Sequence, residues 1–143
     1  MYREEHFDDV LKLYAAAFSS TPLNYNFITP EKSERYIRSI INTPGFLGYT
    51  FWNGEIVAFV FGVLDDYFEG VLFSISEFAV SPAFQRKGVG SEVLQMLEEK
   101  LSHSGVDAVN LHTSTHLPAY GFYKKNGYEE VVENVSFMKW LGS

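Results

Sequence analysis

Residues 71–91 read VLFSISEFAVSPAFQRKGVGS, and the rest of the chain arranges itself around them. Val71 to Val80 is mostly apolar and rich in β-branched and aromatic residues, the composition of an interior strand. Ser81-Pro82 interrupts it. Val89, Val93, Leu94, Leu97 and Leu101 then recur at helical spacing, so a helix begins near Gly88. The start of a helix leaves N–H groups unpaired and carries partial positive charge, about half an elementary unit. Gly88 and Gly90 lack a Cβ, so an anion can come close to this backbone. Arg86 and Lys87 add full cations just ahead of it. Strand, loop and helix start together form a device for holding a phosphate.

Two nucleotide patterns do not fit this device. The dinucleotide fingerprint needs a third glycine where Val93 stands, and the P-loop pattern G-x-x-x-x-G-K-[ST] is absent. What remains is Q-x-x-G-x-G, from Gln85 to Gly90, after a strand that ends in Val80-Ser81-Pro82. Strand, proline, Gln85, glycines and amphipathic helix, in that order, resemble the GCN5-related N-acetyltransferase (GNAT) superfamily. Its Q/R-x-x-G-x-G/A motif binds the pyrophosphate of acetyl-CoA. A second stretch, from His116 to Tyr128, is similar to that superfamily's N-x-x-A-x-x-F-Y-x-K-x-G-F.

The resemblance implies an α/β (α+β) fold: a mixed, mostly antiparallel sheet with helices on both faces. A splayed parallel strand pair in it forms the CoA cleft. By the same resemblance, the pantetheine arm pairs with backbone groups of Phe78, Ala79 and Val80. An arm with two amides can bond to strand N–H and C=O groups as another strand would. The pyrophosphate is expected on the backbone of Gln85, Arg86, Lys87, Gly88, Val89, Gly90 and Ser91. Phe122 and His116 are expected beside the cofactor. His116 stands where relatives commonly have an asparagine, and it reads equally well as a helix-cap or surface histidine. Tyr123 matches the tyrosine that protonates the departing thiolate, and a phenol near pKa 10 still carries its proton at neutral pH. The cosubstrate is acetyl-CoA, with no metal.

Glu77 is the candidate general base, because it is a charged group inside an apolar strand. The alternative is a carboxylate paired with a cation. In well-known relatives the base sits nearer the position of Ser74. Strand alternation puts Ser74 and Glu77 on opposite faces unless a β-bulge intervenes. The resemblance puts the acceptor pocket near Tyr25, Phe27, Asp65, Asp66 and Glu69, although the three acids also read as an ordinary solvated loop.

The remaining chain fits this plan. Its 143 residues suit a single domain, 1–143. A hydrophobic content of 46%, with 17% aromatic residues, excludes a disordered chain. The formal charge of −7 argues against nucleic acid as the main partner. There is no cysteine, so thiol catalysis, disulfides and cysteine zinc sites are excluded. No apolar run approaches the roughly 20 residues that span a bilayer, so no membrane partner is expected. The N-terminus, MYREEHFDD, is too charged for a signal peptide, which points to the cytoplasm. A homodimer is compatible with the sequence.

Periodicity predicts a helix over 6–19 and an aromatic-bearing connection over 20–29. A second helix is capped by Thr29, with Tyr36, Ile37, Ile40 and Ile41 buried. A hairpin over 46–64 turns at Asn53-Gly54, and an acidic loop spans 65–70. A strand over 107–113 and a short helix after Pro118, closed by Asn126-Gly127, are followed by a strand pair, 128–132 with 135–140. Only Met1-Tyr2-Arg3 precedes the first helix, so the strand that relatives place there is short or missing.

The expected activity is direct transfer of an acetyl group from acetyl-CoA to a primary amine of a small molecule. A peptide or protein amine comes second. A non-catalytic acyl-CoA sensor and an acetyltransferase toxin acting on charged tRNA are the other readings. The negative charge and lack of a basic stripe speak against the last.

Overall fold

The computed structural model describes residues 1–19 and 29–142. They form two units, Met1–Leu111 and His112–Ser143.

In the first unit the elements are α1 (Phe7–Ser19), α2 (Pro30–Ile41), β1 (Phe46–Asn53), β2 (Glu55–Tyr67), β3 (Gly70–Val80), α3 (Val89–His103) and β4 (Ala108–Asn110). Short 3-10 turns lie at Glu4–His6 and Pro82–Phe84. The sheet order is β1-β2-β3-β4, antiparallel for the first two pairs and parallel for β3 with β4. No helix among the described residues is long and apolar enough to cross a membrane.

Local chemistry explains most boundaries. Thr29 Oγ1 accepts the Lys32 N–H at 3.2 Å, and Pro30 opens α2, where a missing N–H costs nothing. At the far end of α3, the Val106 N–H reaches the Leu101 carbonyl and the Gly105 N–H reaches Ser102, which closes the helix. Asp107 clamps the entry to β4. Its carboxylate accepts the Val71 N–H at 2.7 Å, and its own N–H donates to Val71 O at 2.8 Å.

The core lies between the sheet and the first two helices. Val10, Leu13 and Ala17 from α1 and Ile37 and Ile40 from α2 pack on Phe59, Phe61 and Ala79. Phe59 and Phe61 are fully buried, each worth roughly 2–3 kcal/mol of transfer free energy. Their β2 neighbours Ala58 and Val60 are equally buried and, by strand alternation, point to the other face. On α3, Val93, Leu94, Leu97 and Leu101 are buried, and this helix is in contact with β3.

In keeping with the short or missing strand expected there, none forms before α1; one bond, from Tyr2 N–H to Gly48 O at 2.8 Å, ties the N-terminus to β1. Other expectations need correction. The acidic stretch is not a loop: Asp65 and Asp66 sit on β2, opposite Leu72 and Val71, and the turn is Phe68-Glu69. Strand pairing continues there because the backbone groups of Asp65 to Tyr67 find partners in Gly70 to Leu72, while the acidic side chains stay in water. Tyr36 is not buried but 40% exposed. The strand over 107–113 contracts to β4. The connection over 20–28 lies outside the described residues, and Tyr25 and Phe27 with it.

The second unit is built on α4 (Pro118–Lys125). As expected, Asn126-Gly127 ends it, with Tyr128 N–H bonded to Tyr123 O at 3.0 Å and Gly127 N–H to Lys124 O at 3.2 Å. The strand pair 128–132 with 135–140 is not formed. Asn134 N–H bonds to Val131 O at 3.2 Å, a turn without a ladder, and Phe137, Met138 and Trp140 are exposed. Apolar and β-branched residues favour an extended backbone, but a strand exists only where a partner supplies the hydrogen bonds.

Candidate active site

The strand, loop and helix start of residues 71–91 are assembled within the first unit as the sequence suggests. β3 ends at Val80, and the Ser81 N–H returns to Val57 O on β2 at 2.7 Å. Gln85 then reaches back, its Nε2 donating to the Val80 carbonyl at 2.9 Å. This half-buried strap fixes the loop to the end of the strand. Arg86 follows at φ 62°, a left-handed conformation that costs a non-glycine residue about 1–2 kcal/mol. Gly88, also left-handed at φ 77°, is the N-cap of α3 and leaves open space where a side chain would stand. Left-handed residues on both sides of Lys87 curl the backbone into the kind of concavity that gathers N–H groups around an anion. Val89, Gly90 and Ser91 form the first turn of α3. Among the described residues neither Arg86 nor Lys87 makes an ion pair.

Beside this loop β3 loses its parallel neighbour. The β3–β4 ladder has three rungs, Leu72–Ala108, Phe73–Val109 and Ser74–Asn110, yet β3 continues to Val80. Phe78, Ala79 and Val80 lie on this continuation, paired on their other side with Val60, Phe59 and Ala58 of β2. The pairing with β4 therefore ends before the positions where the resemblance expects the pantetheine arm.

A bulge coincides with the end of that pairing. Phe61 faces Glu77 and Gly62 faces Ile75, so Ser76 is an extra residue on β3. Gly62 makes it practicable: a Cβ there would run into the Ser74 carbonyl and the Phe73 ring. The bulge also settles the question of faces. Ser74 lies opposite Val63 and Glu77 opposite Phe61, and two such positions on β2 share a face. Ser74 and Glu77 therefore point the same way, towards the face that carries α1 and α2. Ser74 Oγ there donates to Asn110 Oδ1 at 2.6 Å.

Glu77 is half-buried and has no cationic partner among the described residues. Its partner is the Tyr36 hydroxyl from α2, which donates to Oε2 at 2.9 Å. Loss of water around the carboxylate pushes its pKa up from 4.5 to about 7, and the Tyr36 bond offsets part of that rise. A carboxyl group that titrates near neutrality can accept a proton and release it again. Sequence reading missed Tyr36. The available signal was a hydroxyl among isoleucines on one helix face, because a phenol at such a place needs a partner.

The acids of the expected acceptor pocket, Asp65, Asp66 and Glu69, are exposed at the end of the β2–β3 hairpin. Tyr123, Phe122 and His116 belong to the second unit. Tyr123 is buried and packs edge-on against Phe122 and Tyr128, with ring centroids at 5.1 and 5.3 Å. His116 is exposed, its N–H bonded to Ser114 Oγ at 3.1 Å. Leu117, not His116, is the N-cap of α4. Tyr120 donates to Glu130 at 2.7 Å, and Lys124 lies over the Tyr120 ring.

Comparison with known proteins agrees with this geometry. The family model for the acetyltransferase (GNAT) family matches residues 7–128. The chain belongs to the GNAT family. Solved GNAT-like structures share the fold at low identity. A Clostridium difficile 630 protein, described as a possible acetyltransferase, superposes with TM-score 0.78 at 12% identity, covering 99% of this chain and 95% of that one. An aminoglycoside 6'-N-acetyltransferase from Acinetobacter haemolyticus gives 0.71 at 14% identity, covering 99% and 97%. The glucosamine-6-phosphate N-acetyltransferase of Arabidopsis thaliana gives 0.64 at 17%, covering 99% and 95%. No curated protein sequence matches the chain.

Proposed function

We propose that this GNAT protein moves the acetyl group of acetyl-CoA directly to a primary amine of a small molecule, with both units acting as one catalytic domain in the cytoplasm. The observation that carries the reading is that the β3–β4 ladder ends at Ser74–Asn110 while β3 runs on into the Gln85–Ser91 loop at the mouth of α3. In this reading, backbone groups of Phe78, Ala79 and Val80 pair with the pantetheine amides. The N–H groups from Gln85 to Ser91, with Arg86 and Lys87, hold the pyrophosphate, and Phe122 and His116 flank the cofactor.

The chemistry is addition followed by elimination. The amine nitrogen attacks the thioester carbonyl carbon, a C–N bond forms, and the C–S bond then breaks. An amine of pKa near 10.4 must first lose a proton, which costs about 4–5 kcal/mol at pH 7. Glu77, directly or through water, takes that proton. Tyr123 donates its phenolic proton to the departing thiolate and is reprotonated by the second proton lost from the acylated nitrogen, directly or through water. The products are an N-acetyl amine and CoA.

The small-molecule preference draws on structural neighbours named for aminoglycosides and for glucosamine 6-phosphate. The test is release of CoA thiol from acetyl-CoA with a panel of polyamines, aminoglycosides, amino sugars, amino acids and peptides. Saturable turnover on a small amine is the expected result. Tight acetyl-CoA binding without turnover on any amine would replace the enzyme reading by a sensor.

A further inference from the structure

Tyr36 stands apart from its helix. Its neighbours on α2, Ile37 and Ile40, are buried, while Tyr36 is 40% exposed and sends its hydroxyl to a strand 41 residues away. Its ring rests against Tyr14 of α1, with centroids 5.9 Å apart, and Tyr14 rests on Phe18 at 4.7 Å. The phenol is thus braced by two helices and ends on one atom, Oε2 of Glu77. Among the described residues no other donor reaches that carboxylate.

We infer that Tyr36 is a positioning residue for acetyl transfer: its hydroxyl pins Oε2 of Glu77 and leaves Oε1 to receive the proton of the acceptor amine. The inference rests on the reading of Glu77 as the base.

The choice of donor matters. A lysine or arginine at the same place would hold the carboxylate more strongly, but an adjacent cation lowers a carboxyl pKa by about 1–3 units and so weakens the base. A phenol fixes orientation with a smaller loss of basicity. It also keeps its own proton, because burial and the facing carboxylate hold the Tyr36 pKa well above the usual phenol value. Among the described residues the titratable groups around Glu77 are Tyr36 from α2 and, behind it, Tyr14 from α1. Arg38 is engaged elsewhere, with Glu4 and the Phe7 ring, and the residue opposite on β2 is Phe61. Among these residues the carboxylate is held by geometry and not by countercharge.

The test compares wild type with Tyr36→Phe and Tyr36→Lys. The Glu77 carboxyl is titrated by 13C NMR, and acetyl transfer is followed against pH with the best acceptor from the amine panel. Tyr36→Phe removes a bond that favours the ionised form, so the Glu77 midpoint and the acid limb of kcat/KM should both rise by about 0.5–1 pH unit. Plateau kcat should fall about 10-fold, with KM for acetyl-CoA unchanged. Tyr36→Lys should move both midpoints below wild type. If Tyr36→Phe leaves midpoint and acid limb in place while Glu77→Gln abolishes turnover, Tyr36 is only a packing residue and the inference falls alone. If Glu77→Gln turns over as wild type does, the base reading falls and takes the inference with it.

Discussion

Glu77→Gln should make the protein more stable at pH 8 and leave its stability unchanged at pH 4. The folded-state pKa of Glu77 is raised to about 7 from 4.5. Between those values the folded protein binds a proton that the unfolded chain does not. Stability therefore falls as pH rises through this window, and the penalty is complete above pH 7. The rise from 4.5 to about 7 corresponds to an upper bound of roughly 3–4 kcal/mol. Glu77 is half-buried, so solvent screening brings the expected gain to about 1–2 kcal/mol. Glutamine keeps the shape, and its amide oxygen still accepts the Tyr36 hydroxyl, so packing is held constant. For a chain of this length the gain corresponds to roughly 3–6 °C in Tm at pH 8. Urea denaturation of both proteins from pH 4 to pH 8 measures it. A difference that does not grow across this range, or a less stable variant at pH 8, would refute the claim that Glu77 is strained by burial. Acetyl transfer should be lost in the same variant, so the substitution improves the fold and removes the chemistry.

Four further outcomes follow from the geometry. Gly62→Ala should cost about 1–3 kcal/mol in chemical denaturation, because its Cβ meets the Ser74 carbonyl and the Phe73 ring; a loss below about 0.5 kcal/mol would show that the bulge tolerates a side chain. Gln85→Ala breaks the strap to Val80 and should destabilise by about 1 kcal/mol while weakening acetyl-CoA binding in calorimetry. Arg86→Gly relieves a left-handed residue, so it should raise stability by up to about 1 kcal/mol and yet weaken CoA binding several-fold; tighter binding would remove Arg86 from the pyrophosphate site. Tyr123→Phe should lower kcat about 100-fold with KM for acetyl-CoA little changed, and an unaltered kcat would deny it the role of acid.

The parts legible in the sequence are those encoded by neighbouring residues. Thr29-Pro30 marks the start of α2, Asn126-Gly127 the end of α4, and Gln85 to Gly90 the entry to α3, each through local backbone chemistry. The parts that escaped depend on pairing between distant segments. Alternation along β3 cannot reveal that Ser76 is surplus, since that is decided by Gly62 and Phe73 across the hairpin and within the strand. Tyr36 counted as one more apolar residue on a helix face, because the destination of its hydroxyl lies on another element. The valines and aromatic residues after Tyr128 signal extension but carry no information about what they pair with.

The extra residue in β3 has a mechanical consequence. If Ser76 were deleted, Ile75 and Glu77 could keep their places opposite Gly62 and Phe61, and the register with β2 would be undisturbed. The bend would go, however, and a straightened β3 could run alongside β4 beyond the Ser74–Asn110 rung. Such a shortened protein would be a more regular sheet. One surplus amino acid thus marks the place where two parallel neighbours part company.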